Sequence, residues 1–217
     1  MMNVNRFWVV GGVLTLCALV ICAAIAFSFS ALPPASHTGA PDESLCNNCH
    51  TGGVNLVGGS LEIQNVPANY TPGQTYAITV QLQRTGQQRW GFELVPIRDS
   101  SGVLVMAGQL TAPSNTTALQ VASVSGRPRT YVSHSTADVD GTFEGTANGP
   151  VSWTFNWKAP STGAGLVVFY CAGNAANGNH NSGSGDVIYT AMQLSAEAPS
   201  AAVTSTTWGK IKAMYLK

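Results

Sequence analysis

The chain has 217 residues and a mass of 22.6 kDa, which is enough for one domain with a substantial hydrophobic core. Its 10 Lys and Arg residues balance 10 Asp and Glu, and this zero net charge excludes a nucleic-acid-binding protein, because phosphates require a basic surface. Hydrophobic residues make up 45% of the chain, which excludes a disordered protein. The 5 cysteines are an odd number, so at least one lies outside any internal disulfide.

The N-terminal segment is predicted to be a membrane anchor. Residues 7–29 carry no charge, and a helix of that length rises about 34 Å, enough to cross a hydrocarbon core of about 30 Å. We therefore predict a retained transmembrane helix over residues 1–30, and a signal peptide cleaved after Ser30 is the alternative. Arg6 stays in the cytoplasm in both cases, so the rest of the chain is exported. Residues 31–44 contain Pro33 and Pro34 and are predicted to be an extended linker.

The motif with the clearest chemistry is C-x-x-C-H, formed by Cys46, Cys49 and His50. This spacing is typical of c-type haem attachment, in which both thiols form thioethers and the histidine binds the iron. Residues 45–59 are therefore predicted to be a haem attachment segment that holds one haem c, with His50 as proximal ligand. Asp42 as N-cap and the glycines after His50 favour a short helix there. A Cys46–Cys49 disulfide is the main alternative, and zinc is a minor one because no second ligand pair is present.

The rest of the exported chain has the pattern of short β-strands separated by turns. Residues 151, 153, 155 and 157 are apolar at every second position and form a nearly all-aromatic face. Similar runs occur at residues 74–84, 89–99, 102–111, 119–124, 129–135, 166–171 and 187–194. Eight or nine such strands predict an all-β fold over residues 60–198, an antiparallel β-sandwich of the immunoglobulin-like kind.

Four segments carry a resemblance to a known family. YTPGQTY at residues 70–76 and RWGFEL at residues 89–94 resemble the opening of a reeler domain. WTFNWKAP at residues 153–160 and FYCAGNAANGN at residues 169–179 resemble the bacterial, choice-of-anchor type of that group. This resemblance implies a reeler-like β-sandwich that is coupled to a C-x-x-C-H segment, and it implies little about substrate.

A single haem has a second axial position to fill. The resemblance includes a histidine in the segment of His134, so His134 is the predicted distal ligand, with Met106 as runner-up. His37 is predicted to be solvated, and the loop of His180 is predicted to hold a ligand poorly. A blue-copper site is a remote alternative because its ligands would be widely spaced: Cys171, His134, His180 and Met192.

The C-terminal segment, residues 199–217, is predicted to be an amphipathic tail. Trp208, Ile211, Met214 and Tyr215 fall on one face of a helix, which suits docking to a partner or to a membrane surface. A frayed terminus is the alternative, because about ten residues form a marginal helix on their own.

Together these features predict a monohaem c-type cytochrome that is anchored in the membrane and faces the periplasm. It would be an electron carrier, with a membrane redox complex or a soluble carrier as partner and without enzymatic activity. The alternative is a haem-free extracytoplasmic adhesion or interaction module with a Cys46–Cys49 disulfide.

Overall fold

A computed structural model of the chain describes residues 32–135, 141–161 and 163–199. Eleven β-strands lie in these ranges: β1 Gly59–Gln64, β2 Asn69–Tyr70, β3 Thr75–Arg84, β4 Arg89–Asp99, β5 Leu104–Met106, β6 Gln109–Thr111, β7 Thr117–Val124, β8 Arg127–His134, β9 Val151–Lys158, β10 Val167–Ala176 and β11 Val187–Glu197.

The strands form two sheets packed as a sandwich. The four-stranded sheet has the order β1-β3-β9-β6. The seven-stranded sheet has the order β2-β11-β10-β4-β8-β7, and β5 pairs with β4. The pairings are antiparallel except for β2, which runs parallel to β11. The prediction of an all-β sandwich is confirmed.

The aromatic face predicted on β9 forms the centre of the core. Trp153, Phe155 and Trp157 are fully buried. Their rings meet aromatic residues of the other sheet: Trp153 lies 4.7 Å from Phe92 and Trp157 lies 4.8 Å from Phe169. This interdigitation holds the two sheets together.

The strand predicted over residues 102–111 is two strands in different sheets. Leu104–Met106 pairs with β4, whereas Gln109–Thr111 pairs with β9. The chain crosses between the sheets at Gly108, whose φ of +78° favours glycine.

The segment predicted to be a linker lies against the seven-stranded sheet. We call residues 32–45 the strap. The strap packs Ala40 against Val95, Ile97 and Tyr131 on the sheet face that points away from the four-stranded sheet. A buried ion pair between Glu43 of the strap and Arg129 of β8 fixes it there.

The helix predicted around the C-x-x-C-H motif is a single 3-10 turn, Cys46–Asn48. Leu45 occupies its N-cap without a side-chain hydrogen bond. The predicted cap, Asp42, has a φ of +66° and lies outside the turn. No helix in the described ranges is long and apolar enough to cross a membrane. The predicted anchor, residues 1–30, and most of the predicted tail, residues 200–217, lie outside the described residues.

Candidate functional site

A cavity of about 250 Å³ opens at the end of the sandwich where β4 and β11 begin and β8 and β10 end. The C-x-x-C-H turn closes one side of it. The side chains with polar or reactive groups that line it include Cys46, Cys49, His50, Arg89, Trp90, His134, Asn174, His180 and Asp186. The structure therefore brings together the motif and His134, which are far apart in the sequence.

His50 is held by two side chains at the end of the sandwich. Its Nδ1 lies 2.6 Å from Oδ2 of Asp186, a carboxylate that is only 2% exposed. The amide nitrogen of Asn174 lies 3.1 Å from Nδ1 and 3.3 Å from Nε2 of the same ring. The turn comes this close because Gly52 packs directly against the backbone of Asp186, where a Cβ would clash. His50 is thus fixed in orientation by residues of β10 and of the loop before β11.

His134 lies deeper, at the end of β8. Its ring sits over Gly91, where a Cβ would lie 2.8 Å from the ring. The Nδ1 atom lies 3.2 Å from the amide nitrogen and 3.4 Å from the carbonyl oxygen of Phe92. The pKa of His134 is lowered to about 4, mainly by burial; the hydrogen bond with Phe92 opposes this shift, and the nearby Arg89 and His50 contribute to it. His134 is therefore a neutral imidazole at physiological pH.

The two cysteines of the motif differ in environment. Cys49 is exposed, whereas Cys46 is partly buried and its Sγ lies 3.8 Å from the carbonyl oxygen of His37. The pKa of Cys46 is raised to about 12, mainly by burial and in smaller part by the nearby Glu93. Cys171 is buried in the core, and burial also raises its pKa.

This difference predicts the order in which the reduced cysteines react. At a given pH, a pKa of about 12 instead of 9.0 lowers the thiolate fraction of Cys46 about a thousandfold. We expect iodoacetamide to modify Cys49 rapidly and Cys46 and Cys171 slowly in the folded protein. Peptide mass spectrometry over a time course measures this order, and denatured protein is the control. Equal rates at Cys46 and Cys49 in the folded protein would contradict it.

The other predicted ligand candidates have different positions. His37 lines the cavity rather than lying free in solvent, and its backbone N–H donates to Glu93. His180 lines the cavity too, and its Nδ1 lies 2.6 Å from Nη1 of Arg89. Met106 lies in β5, where its Sδ accepts a hydrogen bond from the Thr130 amide, and it does not line the cavity. Met192 is 64% exposed on β11, away from the buried Cys171, so the predicted copper ligands do not converge.

Sequence reasoning missed the residues that orient His50. Asp186 and Asn174 follow no motif, and they reach His50 only because β10 and β11 pair and end at the cavity. The only signal for Asp186 was an acidic residue at the end of an Asn- and Gly-rich loop.

A second feature is the free edge of the seven-stranded sheet. β7 is its last strand, and in the described part of the chain no strand pairs with the other side of β7. Leu119 is 42% exposed and Val121 is 69% exposed. Both project on the same side of the sheet as Val132, the register partner of Leu119. These two apolar side chains therefore face solvent.

Comparisons with known proteins address the fold. No family model matches the chain, and no curated protein is significantly similar to it. The reeler domain of human F-spondin is similar in structure, with 18% identity and a TM-score of 0.42 over 69% of this chain and 96% of that one. A cohesin module from a Clostridium perfringens family 33 glycoside hydrolase has 11% identity and a TM-score of 0.40, over 65% and 98% of the two chains. AvmM, described as catalysing macrocyclization in alchivemycin A biosynthesis, has 16% identity and a TM-score of 0.38, over 69% and 94%. The chain's own strand order shows an all-β sandwich of two sheets.

The prediction of an electron-carrying monohaem cytochrome is wrong. Within residues 32–135, 141–161 and 163–199, no three His, Cys, Asp or Glu side chains are grouped so that they could hold a metal ion. The prediction took the function of the whole protein from the five-residue C-x-x-C-H motif, although such a motif defines only the local chemistry.

The predicted cofactor, one haem c attached to Cys46 and Cys49, stays a prediction. The residue types have the right chemistry, with His50 and His134 as the predicted axial ligands. Nδ1 of His50 contacts Asp186, which leaves Nε2 as the atom that would bind the iron, and the Asn174 side-chain nitrogen lies 3.3 Å from it. Haem staining of a denaturing gel, with the mass of the intact chain, tests the prediction directly.

Proposed function

We propose that this chain is an exported interaction module that binds a partner protein by strand pairing at β7. The observation that carries the proposal is the character of this edge. Thr117–Val124 is eight residues long, contains neither a charged residue nor a proline, and exposes Leu119 and Val121. A strand at a sheet edge presents a row of unpaired backbone N–H and C=O groups, which another strand can complete.

The other outermost strands are protected in the ways that natural proteins use. β2 has two residues and β6 has three, so each offers few backbone groups. β1 carries the exposed Glu62, and a charge at an edge opposes pairing with another strand. β7 is neither short nor charged, so its edge is suited to pairing with a partner strand rather than to contact with water.

Export and membrane attachment belong to the same proposal. They rest on the uncharged residues 7–29, which would place the sandwich on the extracytoplasmic side. An interaction module held at the membrane would meet its partner in the periplasm or at the cell surface.

A photo-crosslinking residue at position 121 in the full chain, expressed in its own cells, tests the proposal. We expect a covalent adduct with a protein, because the Val121 side chain lies at the proposed contact. The control is the same residue at position 154, since Thr154 is equally a strand residue but lies exposed on the four-stranded sheet. Absence of an adduct at position 121, or equal adducts at both positions, would contradict the proposal.

A further inference from the structure

The edge of β7 is complementary to itself. We propose that its partner is a second copy of this chain, paired antiparallel through β7 around a two-fold axis at Gln120. This inference rests on the proposed function, since it names the partner of the same edge.

The side-chain order of β7 reads almost the same in both directions from Gln120. An antiparallel pair centred on this residue places each position opposite its mirror position in the other copy. The opposed pairs are then Thr117 with Ser123, Ala118 with Ala122, Leu119 with Val121, and Gln120 with itself. Every pair joins side chains of similar size and polarity, as a two-fold interface requires, because the same surface must fit itself.

The apolar side chains meet on one side of this pairing. Leu119 and Val121 are two residues apart, so they project on the same side of β7. Across the axis each lies opposite the other residue of the second copy, which gives a cluster of four apolar side chains. Leu119 and Val121 are 42% and 69% exposed in the single chain, and both would lose much of that exposure in the pair.

Charge does not oppose this arrangement. β7 has no charged residue, so the two-fold axis places no like charges opposite each other on the paired strands. Arg129, on the neighbouring strand, is already buried with Glu43. The pairing continues the antiparallel order of β4, β8 and β7, so one sheet would run through both copies.

The position of the axis gives a specific test. Residues opposite each other in an antiparallel pair have Cα atoms about 4.5–5.5 Å apart, which lies within the range of about 4.4–6.8 Å for disulfides. The variant Gln120→Cys should therefore form a disulfide-linked dimer under mild oxidation. Ala118→Cys alone should not, but an equimolar mixture of Ala118→Cys and Ala122→Cys should, because these positions oppose each other. The wild-type chain under the same oxidant shows any linkage through Cys49, which is exposed.

Sedimentation of the full chain in detergent gives the second readout. We expect the wild type to be a dimer and Val121→Lys to be a monomer with an unchanged circular dichroism spectrum. A monomeric wild type together with no linkage of Gln120→Cys would overturn the inference. If the residue at position 121 then crosslinks to a different protein in cells, the interaction module stands and only the second copy is wrong. If nothing is crosslinked there, both proposals fail.

Discussion

Replacing Arg129 with leucine is expected to lower the free energy of unfolding by about 3–5 kcal/mol, because it leaves a buried carboxylate without its cation. Nη1 of Arg129 lies 2.5 Å from Oε1 of Glu43, and both side chains are at most 1% exposed. The Tyr131 hydroxyl also donates to Glu43 at 2.7 Å, and the Arg129 guanidinium donates to the Pro41 carbonyl at 3.1 Å. This network holds the strap on the sheet.

Urea unfolding of Arg129→Leu and Arg127→Leu measures the effect. Arg127 is the matched control, because it lies on the same strand but is exposed, and it donates to the Ser125 carbonyl. In limited proteolysis of Arg129→Leu, the first cuts should fall within residues 32–45 and cuts in the sandwich should come later, because the strap loses its attachment. Similar losses of stability in both variants would contradict the role of the ion pair.

The second large effect concerns Glu93, whose removal should change how stability depends on pH. Burial raises the pKa of Glu93 from 4.5 to about 8; the His37 amide opposes the shift, and Glu43 adds to it. The folded protein therefore keeps a proton that the unfolded chain releases, so stability falls as pH rises from about 4.5 to about 8. The full difference is about 5 kcal/mol at most.

His134 acts in the opposite direction at lower pH. Its pKa falls from 6.5 to about 4 in the folded protein, so its contribution to stability is lost as pH falls through that window. The two effects oppose each other between about pH 4.5 and 6.5, and Glu93 acts alone above that. We therefore expect the wild type to lose about 2 kcal/mol between pH 6.5 and 8.

The variant Glu93→Gln should lose this dependence above pH 6.5, because an amide does not titrate. Glu62→Gln is the control, since Glu62 is an exposed strand glutamate. Chemical unfolding at a series of pH values compares the three proteins. A Glu93→Gln variant that still loses stability between pH 6.5 and 8 would show that another group titrates.

The spacing of apolar residues in the sequence predicted the strands that have one buried face or are buried on both faces. β9 and β4 match their predicted runs because each has an apolar side chain on at least every second position. β1 was missed because only Leu61 is buried there, and one buried residue makes no pattern. Pro96 lies between the part of β4 that pairs with β8 and the part that pairs with β5.

The candidate site was predictable only where it is local in the sequence. The C-x-x-C-H motif is contiguous, but the partners of His50 lie more than 120 residues away. The strap has the Pro- and Ser-rich composition of a linker, and its docking depends on Glu43 reaching a buried arginine. Glu93 is a charged residue that no sequence pattern marks as buried; it is fully buried because β4 is a central strand and the strap reaches it through His37.

The most direct test of the account is hydrogen–deuterium exchange of the β7 amides in the full chain. The β7 amides that point towards β8 are hydrogen-bonded whether or not a partner strand is present. About half of the β7 amides point the other way, and we call these the outward amides. If a partner strand completes this edge, the outward amides of residues 117–124 will exchange slowly in the wild type and rapidly in Val121→Lys. Rapid exchange of the outward amides in both proteins would mean that the edge is open to water, and the interaction module would have no binding surface at β7.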